Sequence, residues 1–170
     1  MKTFFNLFLV LSISVNLSFC QNDDILELSN QEQSTMIDLI VENSNIDSMR
    51  GEDGLVYISD FISLLSIKKA NEPSILLSEY IVNTYSMKFL LIPLIVDTDR
   101  ELFRESLNSA FESGLNVFKD EVIAGDIQSF CENPQESLIL KFGITVRKDY
   151  LNEDKELLFS NTISPESCKS

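Results

Sequence analysis

The spacing of apolar residues changes twice along this chain. The first twenty residues carry an almost continuous apolar run, and most of the sequence after residue 30 repeats apolar positions every three or four residues. From Leu140 to Arg147, apolar and polar positions alternate strictly. Helical spacing favours amphipathic helices, whereas alternation favours a half-buried strand. The pattern therefore predicts a largely helical region followed by a C-terminal sheet region, behind an apolar leader.

Five segments combine helical spacing with residues typical of helix ends. Ser29 or Asn30 caps the first, Ser59 caps the second, and Pro73 fits the first turn of the third. Gly114 sits where the fourth ends, and Gly125 weakens the fifth, so we expect four or five helices. The predicted segments are residues 30–42, 59–70, 73–85, 97–114 and 118–130.

Extended structure is predicted mainly at the C-terminus. Leu138–Val146 and Glu156–Ile163 flank the polar turn Asn152–Asp154, which predicts an antiparallel hairpin. Phe89–Val96 is a continuous apolar run containing Pro93, and we expect a buried strand at an edge or bulge. The short segment 55–58 is either a strand or the start of a helix. The fold class is therefore α+β, with the helices packed on a small antiparallel sheet that includes a C-terminal β-hairpin.

The leader has the features of a secretion signal. Lys2 precedes the apolar run, and Ser18 and Cys20 supply small residues before an abrupt change to polar chain. We predict a signal peptide over residues 1–20, a polar lead-in over 21–30, and a single acidic α+β domain over 31–170. The protein is then exported to the periplasm, the outer membrane, the cell surface or the medium.

The end of the leader leaves the fate of Cys20 open. Leu17–Cys20 resembles a lipobox in its Leu and its Cys, but Phe19 stands where that motif has Gly, Ala or Ser. The following Gln21–Asp24 resembles the acidic segment behind the lipidated Cys of surface-exported bacterial lipoproteins. Either a signal peptidase cuts after Cys20, or Cys20 is a lipidation site and its lipid is the only membrane contact.

The charge of the chain restricts its partners. Thirteen Lys and Arg face 27 Asp and Glu, and removal of Lys2 with the leader gives a net charge of −15. Such a surplus repels nucleic acid and anionic lipid headgroups and attracts basic molecules. We therefore expect a protein partner, with a basic one favoured, and no nucleic acid. The sequence does not predict the oligomeric state.

Two cysteines remain once Cys20 is cleaved or lipidated. Cys131 and Cys168 would form a disulfide in an oxidising compartment, whereas free thiols are the alternative. The bond would close a loop of 37 residues, worth about 4 kcal/mol in the chain-entropy model.

The sequence lacks the residues that common catalytic arrangements need. The chain has no His, which excludes Ser-His-Asp and Cys-His chemistry, and no glycine-rich phosphate-binding motif occurs. Asp97, Asp99 and Glu101 begin like a calcium loop, but Leu102 and Asn108 occupy its required Gly and Glu positions. We expect these acids to cap a helix, and we predict no catalytic or metal-binding residues and no cofactor.

These observations favour an acidic binding protein without catalytic activity. One concrete form is an inhibitor or immunity-type protein that neutralises a basic partner, with charge complementarity speeding association. A small carboxylate-dependent hydrolase of envelope glycans is an alternative, although 27 acids make some carboxylate pair inevitable. A scaffolding surface lipoprotein is a further alternative.

Overall fold

In the computed structural model, which describes residues 28–95 and 99–169, four helices cover one face of a five-stranded sheet. The helices are α1 (Asn30–Asn43), α2 (Thr84–Leu91), α3 (Arg100–Glu132) and α4 (Pro134–Lys141). The strands are β1 (Val56–Tyr57), β2 (Ile62–Lys69), β3 (Ile75–Val82), β4 (Thr145–Leu151) and β5 (Leu157–Ile163). Short 3-10 helices span Ile46–Met49, Ile92–Leu94 and Pro165–Cys168. The predicted α+β class is confirmed.

The strands lie in the order in which they follow along the chain. Neighbouring pairs are antiparallel except β3 and β4, which are parallel. A parallel pair needs a long crossover, and α2, α3 and α4 form it. The predicted C-terminal hairpin is present as β4 and β5. The sheet is larger than expected, and it is mixed because of the central parallel pair.

Alternate side chains of the sheet build the core against the helices. Register places Leu76 beside Val146, and Tyr80 beside Tyr150, on the helix-facing side. Ile37 of α1 is fully buried in the same layer. The core has two apolar clusters, one around Val146 and one around Tyr150. Lys148 occupies the position between them on β4.

Two predicted helices are strands instead. Residues 59–70 contain β2, and residues 73–85 contain β3 and only the start of α2. The register of β2 shifts between Leu64 and Ser66, and this bulge interrupts the alternation that would have marked a strand. In β3, Leu77 and Ile81 occupy the face opposite Leu76 and Tyr80, so apolar residues on both faces mimic helical spacing.

The apolar run from Phe89 is not a buried strand. Its described residues finish α2 and form the 3-10 helix Ile92–Leu94, while Val96 lies outside the described residues. Phe89 and Leu94 are exposed. The C-terminal strand also begins later than predicted, since Leu138–Lys141 belong to α4 and β4 starts at Thr145.

The fourth and fifth predicted helices form one uninterrupted helix, α3, of 33 residues. Asp99 caps its first turn by accepting hydrogen bonds from the backbone N–H groups of Glu101 and Leu102. Gly114 and Gly125 lie inside it in open space, with no atom within 4 Å of an added Cβ. Glycine weakens a helix without necessarily ending it, and Asn133–Pro134 provides the true boundary.

Replacement of Gly114 by Ala tests this continuity. Alanine favours the helical backbone and meets no obstacle here, so we expect the free energy of unfolding to rise by about 0.5–1 kcal/mol. Gly143→Ala is the matched control: Gly143 has a φ of +72°, and its Cβ would lie 2.7 Å from Gln33 Nε2. The control should lose stability in the same urea titration. A destabilised Gly114→Ala protein would mean that the helix ends at residue 114.

Candidate protein-binding surface

The length of α3 determines the shape of the molecule around it. At 33 residues the helix is ~50 Å long, whereas the eight-residue strand β3 spans ~26 Å. The C-terminal half of α3 contributes Phe118, Val122, Ile127 and Phe130 to the two core clusters. In the N-terminal half, Phe111 contacts Lys88 of α2. The C-terminal half of α3 is therefore anchored in the core, and the N-terminal half supports α2.

A buried polar network fixes the anchored half of α3 to the sheet. Asp126 accepts a 2.6 Å hydrogen bond from Lys148 Nζ through Oδ1, and Oδ2 accepts from Tyr150 Oη at 2.8 Å and from Asn161 Nδ2 at 3.2 Å. The side chains of Lys148 and Asp126 are only 13% and 12% exposed. One aspartate on α3 thus joins both strands of the C-terminal hairpin.

The Lys148 ammonium also touches both apolar clusters. It lies 5.1 Å from the ring centroid of Phe130 and 5.7 Å from that of Tyr80. Tyr80, Tyr150 and Phe159 stack in a row across three strands, with centroid separations of 5.0 and 4.6 Å. The network therefore sits at the junction of the clusters, enclosed by aromatic rings.

The protonation preferences of the network oppose a catalytic role. Burial alone would lower the pKa of Lys148, but the neighbouring Tyr80 and the Asp126 carboxylate together outweigh it and raise the pKa above its ordinary value. Burial, together with Asp126, raises the pKa of Tyr150 as well. A nucleophilic or basic lysine needs a lowered pKa. Both raised pKa values imply stability that is present at neutral pH and declines as the pH rises above about 10.

A disulfide holds the end of α3 to the C-terminus. Cys131 in the last turn of α3 is bonded to Cys168 in the final 3-10 helix, as the cysteine count predicts. The bond closes a loop of 37 residues that contains α4, β4 and β5. It restrains the same half of α3 that Asp126 holds.

Helix α2 is apolar on two sides. Its inner side directs Thr84 and Met87 toward the body of the protein, and Lys88 Nζ lies 4.5 Å from the ring centroid of Phe111 on α3. Its outer side carries Tyr85 and Phe89, and the spacing i, i+4 continues to Ile92 at i+7. That spacing produces a continuous stripe along a helix.

We define the arm surface as the exposed apolar side chains of α2, the following 3-10 helix and the start of α3. Leu94, Phe89 and Tyr85 are 73%, 71% and 67% exposed, and the others are also more than 40% exposed. Its members are Tyr85, Phe89, Leu90, Ile92, Leu94 and Leu102. A contiguous run of large exposed apolar residues is typical of an interaction site, whereas isolated ones are normal.

Glu153 holds helix α2, which carries most of the arm surface, against the sheet. This residue lies in the turn between β4 and β5, where Oε2 accepts a 2.7 Å bond from Thr84 Oγ1 and Oε1 accepts a 3.0 Å bond from the Tyr85 N–H. Burial alone would raise the pKa of Glu153, but these bonds outweigh it and lower the pKa. The position of α2 is therefore determined by both the hairpin turn and α3.

The sheet face away from the helices bears two neighbouring carboxylates. Glu79 and Asp149 are paired across β3 and β4. Lys68 Nζ lies 2.8 Å from Glu79, which also accepts from Ser66, while Arg147 binds both oxygens of Asp149. Burial opposes the ionisation of Glu79, but the Lys68 and Ser66 bonds lower its pKa. Glu79 is thus held in an ionic contact with Lys68 of the neighbouring strand, and its lowered pKa is the opposite of what the general acid of a glycosidase needs.

Of the other residues singled out in the sequence, Asp99 and Glu101 lie at the start of α3 beside Leu102 of the arm surface, whereas the Cys131–Cys168 bond lies at the opposite end of α3. Cys20 and Asp97 lie outside the described residues. Within residues 28–95 and 99–169, no group of three or more His, Cys, Asp or Glu is placed to hold a metal ion. In those same ranges, no helix is both long and apolar enough to cross a membrane.

Sequence reasoning missed the arm surface because it assigned Phe89–Val96 to the core. A usable signal was nevertheless present. Pro93 is unsuited to a central strand, and the segment from Tyr85 to Leu94 is apolar on all sides of a short helix. Such a helix needs a covering surface on more than one side.

Solved structures of other proteins are similar to this chain at low sequence identity. A protein from Pseudomonas aeruginosa, provisionally described as secreted, has a TM-score of 0.55 and 14% identity, covering 84% of this chain and 98% of its own. The type 2 secretion system pilotin EpsS from Vibrio vulnificus has a TM-score of 0.49 and 14% identity, covering 82% and 97%. The type II secretion system pilotin AspS from Vibrio cholerae has a TM-score of 0.45 and 18% identity, covering 81% and 96%. The first of these similarities supports the fold.

No protein-family model and no curated protein matches the sequence.

Asp126 is predicted to be essential for holding α3. Asp126→Leu leaves the buried Lys148 ammonium without its carboxylate, and we expect a loss of about 3–5 kcal/mol in urea unfolding at neutral pH. The double variant Asp126→Leu, Lys148→Met removes both charges and should recover most of that loss. Equal stability losses in the single and double variants would show that the ion pair does not organise this contact.

Proposed function

We propose that this chain is an exported, non-catalytic protein that binds another protein through the arm surface. The observation that carries the proposal is the exposure of Phe89 on α2, which already uses its other side for packing, together with that of Leu94 on the 3-10 helix that follows. Large apolar side chains grouped on one projection lower solubility unless a partner covers them. A rigid scaffold, anchored through Asp126 and the disulfide, presents them.

Export is supported by the sequence and by the bonded cysteines. The leader over residues 1–20 has the features of a secretion signal. The Cys131–Cys168 disulfide is suited to an oxidising compartment outside the cytoplasm. A protein of similar fold, the one from Pseudomonas aeruginosa, is itself described as secreted.

The polar groups of the described residues support binding over catalysis. The Lys148 network and the Glu79–Asp149 pair are both occupied by internal hydrogen bonds or ion pairs, and the pKa of Lys148 is raised while that of Glu79 is lowered. These contacts favour a binding protein over the carboxylate hydrolase. An inhibitor-type role and a scaffolding role both use a surface of this kind.

Site-specific photo-crosslinking in the native host tests the proposal. A benzophenone amino acid at Phe89 should give one discrete adduct with another exported protein, identified by mass spectrometry, since the arm would be covered by that partner. The same group at Leu157, which is 55% exposed on β5, is the matched control and should not give that adduct. Adducts of equal yield at both positions, or none at Phe89, would contradict binding through the arm.

A further inference from the structure

The arm surface and the N-terminal connection of the domain lie at opposite ends of the sheet. Strands β3 and β4 are parallel, so Ile75 and Thr145 begin at one end, which we call the proximal end. Near the start of α1, Gln33 Nε2 donates to the carbonyls of Phe142 and Gly143, directly before β4. The chain therefore enters the domain at the proximal end.

Helix α2, which carries most of the arm surface, begins where the same two strands end. Helix α2 follows Val82, the last residue of β3, and Thr84 binds Glu153, which follows β4. We call this the distal end. The strands between the two ends have eight and seven residues, which separates the ends by ~26 Å.

The apolar residues of the segment that precedes the domain lie too close to Leu28 along the chain to cover the arm surface. Residues 21–27 reach at most ~25 Å when fully extended. Their apolar members, Ile25 and Leu26, lie within three residues of Leu28 and can therefore move only ~10 Å from it. The polar lead-in therefore leaves the arm surface open.

A membrane attached through Cys20 would be joined to the domain at the proximal end. Eight residue steps from Cys20 to Leu28 would hold that end within ~28 Å of the bilayer surface. This tether is about as long as the ~26 Å between the two ends, so vesicle sedimentation distinguishes a bilayer from a protein as the occupant of the arm surface. Cleavage after Cys20 would leave the arm free in solution at the same distal position.

Building on the proposed function, we infer that the arm takes an apolar segment of another exported protein with basic residues along its borders, presented at the end of the domain away from its N-terminal connection. The stripe of Tyr85, Phe89 and Ile92 has the spacing that packs against a second helix. The described residues contain 12 Lys and Arg against 23 Asp and Glu, a net charge of −11.

The surroundings of the arm carry a small excess of the same sign of charge. Glu153 and Asp154 stand in the adjoining turn, and Glu101, Glu105 and Glu112 are exposed along the first half of α3. Arg100, Arg104, Lys88 and Lys155 offset four of these five charges, so the acidic field at the arm comes mainly from the rest of the described residues. A positively bordered apolar segment complements both features, since burial supplies affinity and the acidic field speeds encounter.

Peptide titration of the chain purified after export tests the inference. The probes are 18-residue amphipathic helices with one leucine stripe, bordered by Lys in one peptide and by Glu in its match. We expect the Lys-bordered peptide to bind at least tenfold more tightly at 50 mM NaCl and to weaken at 300 mM. Phe89→Ser or Leu94→Ser should weaken it at least tenfold, while Leu157→Ser should leave binding unchanged.

Three results would overturn the inference: equal affinity for the Lys and Glu peptides, equal weakening by Leu157→Ser, or no peptide binding. Sedimentation with phosphatidylcholine vesicles must show no association that depends on Phe89. Ultracentrifugation must show no dimer that Phe89→Ser dissociates. If the Phe89 variant still crosslinks to an exported protein but the peptides do not bind as expected, the proposed function stands. Only the partner chemistry inferred here is then rejected.

Discussion

The ion pair between Asp126 and Lys148 determines how the helical layer sits on the sheet. It is buried, its carboxylate is shared with Tyr150 and Asn161, and it lies where two apolar clusters meet. A buried charge tolerates only the arrangement that places its partner correctly. The pair thus adds a specific polar constraint on the position of α3 to the packing of the surrounding clusters.

A fixed α3 has a direct consequence for the exposed part of the molecule. The helix is about twice as long as the strands, so anchoring its C-terminal half forces the N-terminal half beyond the sheet centre. Helix α2 packs there, held by Phe111 on one side and by Glu153 on the other. Its outer stripe then has no covering element among the described residues, and the arm surface follows from the anchor.

Local signals in the sequence predicted the parts of the fold that are decided locally. Ser29 and Asp99 cap helices as expected, and the turn after Leu151 makes the C-terminal hairpin. The disulfide followed from counting cysteines. The predictions were wrong for segments whose structure depends on distant partners. β2 is a strand despite its bulge because β1 and β3 pair with it, and Gly114 remains helical within α3. The arm surface was missed for a related reason, since an apolar run cannot reveal by itself whether a partner inside the chain covers it.

Hydroxyl-radical footprinting in the native envelope, compared with the purified chain, tests the central claim most directly. The account predicts that Phe89 and Leu94 oxidise readily in the purified protein and become strongly protected in the envelope. Tyr57 and Leu157, which are 66% and 55% exposed on the sheet, should react equally in both samples. Equal oxidation of Phe89 and Leu94 in the two samples would mean that nothing covers the arm surface, and would contradict its role in binding.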